Sequence, residues 1–199
     1  MATRLRDLLP HRGPRVVLRR WRASDADAVQ HWYRPGHRWH DLNGPYFGDP
    51  TEEEADLMAG RVRKIGNHGG PKGPLRLVPV VRADDEDHLL GTVNRYAIDE
   101  TGWTAAGVVL FDDANWNQGL GREALGLWID LLFRSDPDLH RIDLRTWSGN
   151  VGMIKVAERL GFTLEARFRE ARSVDGERYD SLGFGQLRTE WQALTDARA

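Results

Sequence analysis

The stretch from Gly119 to Ala124, GLGREA, places two glycines directly before a strong helical pattern. A strand that ends in such a turn directs several free backbone N–H groups at one point, with the positive end of the helix dipole behind them. Glycine also lets a phosphate group approach the backbone closely. The chemistry that this arrangement serves is the binding of a phosphate-bearing ligand.

Three interpretations of this turn compete. The pattern satisfies the dinucleotide fingerprint G-x-G-x-x-A, with Asp138 or Asp143 about 20 residues further on. That interpretation requires alternating parallel strands and helices, whereas an antiparallel meander precedes the motif and a hairpin closes the chain. A nucleoside triphosphate loop is excluded, because Arg122 and Glu123 stand where Lys and Ser or Thr are needed. A plain turn explains one glycine more easily than two.

Five other side chains have the chemistry of proton transfer. Asp112 and Asp113 directly follow the strand-like run AAGVVLF and could act through water, with turn or cap roles as the alternative. His40 and Asp41 lie in an aromatic-rich loop, and histidine titrates near neutral pH. Tyr179 lies in the closing hairpin, where structural hydrogen bonding is the alternative role.

The composition excludes several classes of protein. With no cysteine in 199 residues, disulfides, thiolate zinc sites and a cysteine nucleophile are excluded. The spacing of His31, His37, His40 and Asp41 matches no ligand motif, so no metal is predicted. A formal net charge of −2 argues against a nucleic acid partner.

The length favours one domain. We expect a flexible arm over residues 1–14, one domain over 15–191 and a tail over 192–199. No segment is apolar and long enough for a signal peptide or a membrane span, so we expect a cytoplasmic protein without a membrane partner. Exposed strand edges would permit a homodimer.

The elements that must position these residues can be read from local patterns. Ser24 is the expected N-cap of a first helix, and Thr51 with Glu54 forms a capping box for a second. A glycine-rich connection over 66–74 leads to three short apolar runs that predict an antiparallel meander. The long helix after Gly121 separates two strands that we expect to be parallel neighbours. The predicted order is strand, two helices, three strands, helix, strand, helix and two strands.

The end of the chain carries two further local signals. Gly161 is placed as the C-terminal cap of the last predicted helix. Asp175 and Gly176 predict the tight turn of a closing hairpin.

NWNQGLGREAL resembles the acetyl-CoA loop of the GNAT N-acetyltransferase superfamily, in the form typical of its RimJ/RimL-like branch. LHRIDLRTWSGNVGMIKVAERLGF is similar to the second signature of that branch. LRRWRASDADAV and DGERYDSLGFGQLRTEW are also similar to it, so the resemblance covers about residues 15–191. It implies an α/β (α+β) GNAT fold, with a mixed, mostly antiparallel central sheet of about seven strands and flanking helices.

The resemblance implies acetyl-CoA as the cofactor. Leu110 and Phe111 would bond its pantetheine arm as an added strand, and Asn150 would lie near the pantetheine and the thiol. Lys155 and Arg159 could meet the nucleotide phosphates, with a solvated helix face as the alternative. The residues expected to present backbone N–H groups to the pyrophosphate are Gly119, Leu120, Gly121, Arg122 and Glu123.

The resemblance also implies transfer of an acetyl group to a primary amine, either a protein N-terminal amine or a small amine such as an aminoglycoside. The residues expected to form the acceptor wall, with core packing as the alternative for about half of them, are Trp32, Tyr33, His37, Trp39, Tyr46 and Phe47.

The chain departs from the family pattern at the positions of the usual acid and base. Ala105 stands where many members have a glutamate, and Ala157 where many have a tyrosine. Met153 replaces a common serine. These departures leave the general base and acid unassigned, and they keep open an acyl-CoA-binding sensor with little or no catalysis.

Overall fold

The computed structural model describes residues 4–48, 50–68, 76–99 and 103–197. Residues 69–74 of the predicted glycine-rich connection lie outside the described residues. The strands are β1 (His11–Arg12), β2 (Val16–Leu18), β3 (Leu77–Arg82), β4 (Leu89–Ala97), β5 (Thr104–Leu110), β6 (Arg141–Trp147), β7 (Thr163–Val174) and β8 (Glu177–Leu187). The helices are α1 (Asp25–Tyr33), α2 (Glu52–Asn67), α3 (Leu120–Ser135), α4 (Val151–Leu160) and α5 (Arg188–Asp196), with short 3-10 helices at Leu5–Leu8, Pro45–Phe47 and Asp113–Asn115.

The strands form one eight-stranded sheet in the order β1-β2-β3-β4-β5-β6-β8-β7. Every neighbouring pair is antiparallel except β5 and β6, which are parallel. The predicted mixed, mostly antiparallel sheet is therefore confirmed, as is the crossover through α3. The sheet has one strand more than predicted because His11 and Arg12 pair with the end of β2.

Local signals set most of the helix ends. The capping box of Thr51 and Glu54 is present at the start of α2, and Gly161 ends α4 in the left-handed region, with φ at 87°. The prediction that Ser24 caps α1 is wrong, because Ser24 itself has helical dihedrals and makes no capping bond. The Asp25 carboxylate instead accepts the backbone N–H of Arg22, at 2.8 Å.

The described residues near both ends of the chain contribute to the packed structure. Leu5 and Leu9, in the expected arm, are buried in the main core. The apolar surface of these leucines and the pairing of β1 fix residues 5–12 against the sheet. At the other end, α5 extends to Asp196 and buries Trp191, so the expected tail is helical over most of its length.

The two faces of the sheet carry separate apolar cores. Val16 and Leu18 pack with α3, α4 and α5, whereas Val17, between them, packs with α1 and α2. The same alternation applies to β5, where Leu110 packs on the α3 face and Val109 on the α1 and α2 face.

Candidate active site

Strands β5 and β6 form a wedge. They pair at three positions only, the last being Ala106 with Leu144. Beyond that point β5 continues to pair with β4 as far as Leu110, and β6 continues to pair with β8 as far as Trp147. Within the described residues, the stretch 107–110 therefore has no strand partner on its β6 side.

The direction of the backbone groups on β5 shows which residues face this gap. Phe111 donates its N–H to the Leu90 carbonyl at 3.0 Å, so the odd-numbered residues bond β4. Val108 and Leu110 consequently face the gap, and the Leu110 carbonyl accepts the indole N–H of Trp116 at 3.0 Å. The backbone groups of Leu110 are therefore directed to the side on which an added strand would pair. The backbone N–H of Phe111 is directed to β4 instead, and the Phe111 ring is buried. Val108 was missed, because its role depends on where β5 and β6 diverge.

The glycine turn precedes α3 as predicted, with Gly119 in the left-handed region at φ 80°. The Glu123 N–H donates to the Gly119 carbonyl at 3.1 Å. The N–H groups of Leu120, Gly121 and Arg122 precede this bond and stay available for a ligand. Glu123 does not join them, since its own N–H is used within the helix.

Arg15 supports the turn from behind. Its backbone N–H and Nε donate to the Glu123 carboxylate at 2.7 and 2.9 Å, and its Nη1 donates to the Gln118 carbonyl at 2.7 Å. The Val16 N–H donates to the same carboxylate at 3.0 Å. The start of β2 is thus bonded both to the turn and to the first turn of α3, a contact that no local pattern indicated.

Asn150 joins α4 to the loop between α1 and α2. Its Oδ1 accepts the Met153 N–H at 3.0 Å and caps α4, while its Nδ2 donates to the Leu42 carbonyl at 3.0 Å. The Trp147 indole donates to the same carbonyl at 3.2 Å. Asn150 lines the cleft, and both ends of its side-chain amide are engaged by these bonds.

One cleft of about 1280 Å³ joins the glycine turn, the gap between β5 and β6, and the face of the sheet under the 34–48 loop. Asp143 and Glu165 are the carboxylates that line it in the described part of the chain. Cations outnumber them, which favours an anionic ligand. The cationic residues of the lining are Arg38, Arg122, Arg145, Lys155, Arg159 and Arg172.

Half of the predicted acceptor wall reaches the cleft. Trp39, Tyr46 and Phe47 line it. Trp32 and Tyr33 instead pack around Phe111, with ring centroids 6.0 and 5.8 Å from that ring. His37 is also outside the lining, and its Nε2 lies 2.8 Å from the His31 carbonyl oxygen. The alternative of core packing holds for Trp32 and Tyr33, which pack against the buried residues on the α1 and α2 face of the sheet.

The two aspartates predicted for proton transfer do not line the cleft. Asp112 accepts the Ala114 N–H at 2.9 Å and caps a 3-10 helix, which is the alternative stated for it. Asp113 pairs with Arg38 at 2.6 Å. Arg38 also lies over the Trp116 ring at 5.6 Å, so these contacts link the 34–48 loop to the segment that precedes the glycine turn.

The other three predicted proton-transfer residues also lie outside the cleft lining. His40 is buried, with Nε2 at 3.1 Å from the Arg34 carbonyl oxygen. Asp41 is exposed. Tyr179 packs edge-on against Trp147 at 4.8 Å, so only Trp147 of that pair faces the ligand space.

Tyr96 is a titratable residue of the cleft that the sequence did not reveal. It lies on β4 directly opposite Ala105, and the residue is 42% exposed. Burial raises the pKa of its phenol; Arg145 acts in the opposite direction and Asp143 in the same one. Because the phenol keeps its proton well beyond neutral pH, Tyr96 can donate a hydrogen bond but is a poor base.

The described residues contain no group of three or more histidines and acidic side chains arranged to hold a metal ion. None of their helices has the length and apolar character needed to cross a membrane.

The sequence profile of the acetyltransferase (GNAT) domain matches residues 15–163. Since this is most of the chain, the protein belongs to the GNAT acetyltransferase family. The fold, the wedge between β5 and β6 and the glycine turn agree with that assignment.

Solved structures share the fold. A GNAT-family acetyltransferase from Bacillus anthracis superposes with a TM-score of 0.71 at 21% identity, covering 90% of this chain and 98% of its own. RimL, the ribosomal L7/L12 alpha-N-protein acetyltransferase in complex with coenzyme A, gives 0.68 at 17% identity, covering 91% and 98%. The ribosomal-protein-S5-alanine acetyltransferase from Vibrio fischeri gives 0.67 at 21% identity, covering 91% and 97%.

Acetyl-CoA is the cofactor of this family, and the residues of the cleft fit it. The N–H groups of Leu120, Gly121 and Arg122 suit a pyrophosphate, and the open edge at Val108 and Leu110 suits an extended amide-bearing arm. The cofactor supplies the acetyl thioester; the protein supplies the groups that hold it and a cleft that reaches the far face of the sheet.

Proposed function

We propose that the protein transfers an acetyl group from acetyl-CoA directly to a primary amine, either a protein N-terminal amine or a small-molecule amine. The observation that carries this proposal is the open edge of β5 at Val108 and Leu110. On one side it continues into the free N–H groups of the turn, and on the other into an aromatic-walled space under the 34–48 loop. A ligand held along that edge meets a second ligand from the opposite face.

The chemistry of the amine follows from the side chains present. The chain contains no cysteine, so no thioester forms on a protein thiol and the amine attacks directly. The amine must be neutral to attack, and an α-amine, with a reference pKa of about 7.7 to 8.0, loses its proton far more readily than a lysine at about 10.4. The cationic lining lowers the pKa of a bound ammonium further.

We assign Tyr96 to hydrogen bonding of the departing thiolate. Its phenol lies on the floor of the cleft, and its raised pKa keeps it protonated in the working range. The nearby carboxylates Asp143 and Glu165 are both bonded to Arg141 at 2.6 Å. They are therefore poorly placed to act as bases, and water is the acceptor of the amine proton in this proposal.

One observation favours the second function, an acyl-CoA-binding sensor with little catalysis. Ala105 and Ala157 are completely buried and offer no acid or base at the usual positions. If the protein is a sensor, acetyl-CoA binds and no amine accelerates the release of coenzyme A.

The test has two steps. Thermal stabilisation by acetyl-CoA, coenzyme A and NADH is compared first, since a ligand at about 100 times its Kd adds about 2.7 kcal/mol of stability. Release of coenzyme A is then followed with peptides and small amines as acceptors. Stabilisation by acetyl-CoA with amine-dependent release supports the transferase. Stabilisation without release supports the sensor, and a response to NADH alone overturns both.

A further inference from the structure

Arg172 lines the cleft on the side of the 34–48 loop, and no acidic side chain among the described residues pairs with it. It lies on β7, and its guanidinium carbon is 4.3 Å from the centroid of the Tyr46 ring. Its Nε is buried and has no hydrogen-bond partner. Across the described part of the chain, Arg172 forms no ion pair. The ring contact fixes the plane of the guanidinium, and its two Nη atoms make no hydrogen bond with the residues described. The edge formed by Nη1 and Nη2 can therefore bind a carboxylate through two parallel bonds.

Arg145 is a second arginine of the cleft whose guanidinium lies over an aromatic ring. It lies on β6, on the same face as Asp143, and its guanidinium carbon is 5.4 Å from the Trp103 ring centroid. It too forms no ion pair with the residues described. Its charge adds to that of Arg172 on the acceptor side of the cleft.

The carboxylates of the cleft are committed elsewhere. Arg141 holds Asp143 and Glu165 together, each at 2.6 Å. The Glu165 and Arg141 side chains cross directly over Gly185, where an added Cβ would lie 2.5 and 2.6 Å from them. A side chain at that position would break the arrangement. Asp143 and Glu165 therefore neutralise Arg141. Arg145 and Arg172 remain available to bind a ligand.

We propose that Arg172, assisted by Arg145, binds an anionic group of the acceptor. The acceptor is then a primary amine that also carries a carboxylate or a phosphate. This inference rests on the proposed function and narrows its substrate class. It disfavours polycationic amines such as aminoglycosides, because a second positive charge would face unpaired arginines.

The same arrangement helps the amine to lose its proton. A carboxylate near an ammonium group stabilises the charged form and raises its pKa. Pairing that carboxylate with Arg172 cancels the effect, and the remaining charge of Arg145 disfavours the ammonium. An anionic acceptor is thus delivered in the neutral, reactive form without a carboxylate base.

The acceptor preference is tested with matched probes that differ in one charge. Two C-terminally amidated tripeptides, Ala-Asp-Ala and Ala-Asn-Ala, form the peptide arm. β-Alanine and its amide form the small-molecule arm, and kanamycin is the polycation. We expect kcat/KM to favour the acidic member of a pair by about tenfold or more, the worth of a charge-assisted hydrogen bond. The arm with the larger ratio identifies the source of the anion. A preference for the amides or for kanamycin overturns the proposal.

Variants connect the preference to Arg172. Arg172→Gln should raise KM for the acidic probe by about tenfold, leave the neutral probe within about twofold and leave KM for acetyl-CoA unchanged. Arg172→Lys should restore part of the preference. Arg169→Gln is the matched control, since Arg169 is an exposed arginine on the same strand outside the cleft lining. An equal loss for both probes in Arg172→Gln contradicts anion binding.

A binding measurement separates this inference from the proposed function. The tripeptides are titrated into the protein saturated with coenzyme A, where no transfer takes place. Tighter binding of Ala-Asp-Ala, lost in Arg172→Gln, supports the anion site even if no amine is acetylated, in which case only the transferase proposal fails. Equal affinities for the two peptides overturn the anion site, whether or not transfer occurs.

Discussion

Glu123 and Arg15 are 108 positions apart in the chain, yet the Glu123 carboxylate accepts both the backbone N–H and the Nε of Arg15, at 2.7 and 2.9 Å. Arg15 also donates to the Gln118 carbonyl within the glycine turn. The pair therefore fixes the glycine turn at the start of α3, where the N–H groups of Leu120, Gly121 and Arg122 are free to bind a ligand.

Breaking this pair should weaken cofactor binding. We expect Glu123→Ala and Arg15→Ala to raise the Kd for coenzyme A by about tenfold, because the turn loses charge-assisted hydrogen bonds that fix its shape. Isothermal titration gives the Kd, and the acceptor KM should change little. Arg12→Ala is the control, since Arg12 pairs with Glu86 and not with the turn. Unchanged affinity in both variants would show that the turn keeps its shape alone.

The direction of the backbone groups on β5 gives a second prediction. Proline at position 108 removes an N–H that faces the gap, whereas proline at 109 removes one that bonds β4. Val108→Pro should therefore lose coenzyme A binding and keep most of its thermal stability. Val109→Pro should lower the melting temperature strongly. The reverse result would mean that the open edge does not bind the cofactor.

The two bonds of Asn150 can be separated by substitution. Asn150→Asp keeps an oxygen to accept the Met153 N–H and loses the donor to the Leu42 carbonyl. We expect it to keep its stability and to raise the acceptor KM, because the 34–48 loop is released. Asn150→Ala also loses the cap of α4, which should lower the free energy of unfolding by about 1 kcal/mol. Equal acceptor KM in wild type and Asn150→Asp would show that the Leu42 contact is dispensable.

Two aromatic residues of the same loop should behave differently. Trp39 is buried and donates its indole N–H to the Trp32 carbonyl at 2.8 Å, so Trp39→Ala should cost about 3–5 kcal/mol of stability. Phe47 is 82% exposed at the cleft. Phe47→Ala should keep its stability and raise the acceptor KM. Chemical denaturation and steady-state kinetics measure the two effects, and a stable Trp39→Ala variant would contradict the packing role.

Tyr33 should make the fold sensitive to alkaline pH. Burial raises the pKa of its phenol to about 12, from 10.0, and the hydrogen bond with Thr92 opposes this shift only in part. The folded state thus disfavours the phenolate, and the stability linked to Tyr33 is complete below pH 10 and is lost as pH rises towards 12. Melting temperatures of wild type and Tyr33→Phe across this range should converge. A constant difference between the two melting temperatures would show that the pKa of Tyr33 is not raised in the folded protein.

The parts of the site that were predictable depend on neighbours in the chain. The glycine turn, the capping box at Thr51 and the cap at Gly161 each need only a few consecutive residues with particular dihedral preferences. The parallel neighbours β5 and β6 followed from the helix between them. These features, together with the family motifs, gave the fold and the cofactor.

The residues on the side of the cleft under the 34–48 loop could not be predicted in the same way. Asp112 and Asp113 follow β5 closely, but both have structural roles. Asp112 caps a 3-10 helix, and Asp113 forms an ion pair with Arg38. Tyr96 and Arg172 carry no local signal, since each reaches the cleft only through strand pairing. Trp32 and Tyr33 end α1 and pack against Phe111, whereas Tyr46 and Phe47 lie in a 3-10 helix that borders the cleft.

The sequence alone thus determined the order of the elements from β2 to β8, the glycine turn before α3 and the absence of a thiol nucleophile, since each follows from residue types and short spacings. The tertiary structure decided where β5 and β6 part, that Arg15 supports the turn, and that Arg141 occupies both carboxylates of the cleft. Such contacts join residues far apart in the chain, and their existence depends on strand register and chain path, which no short pattern encodes.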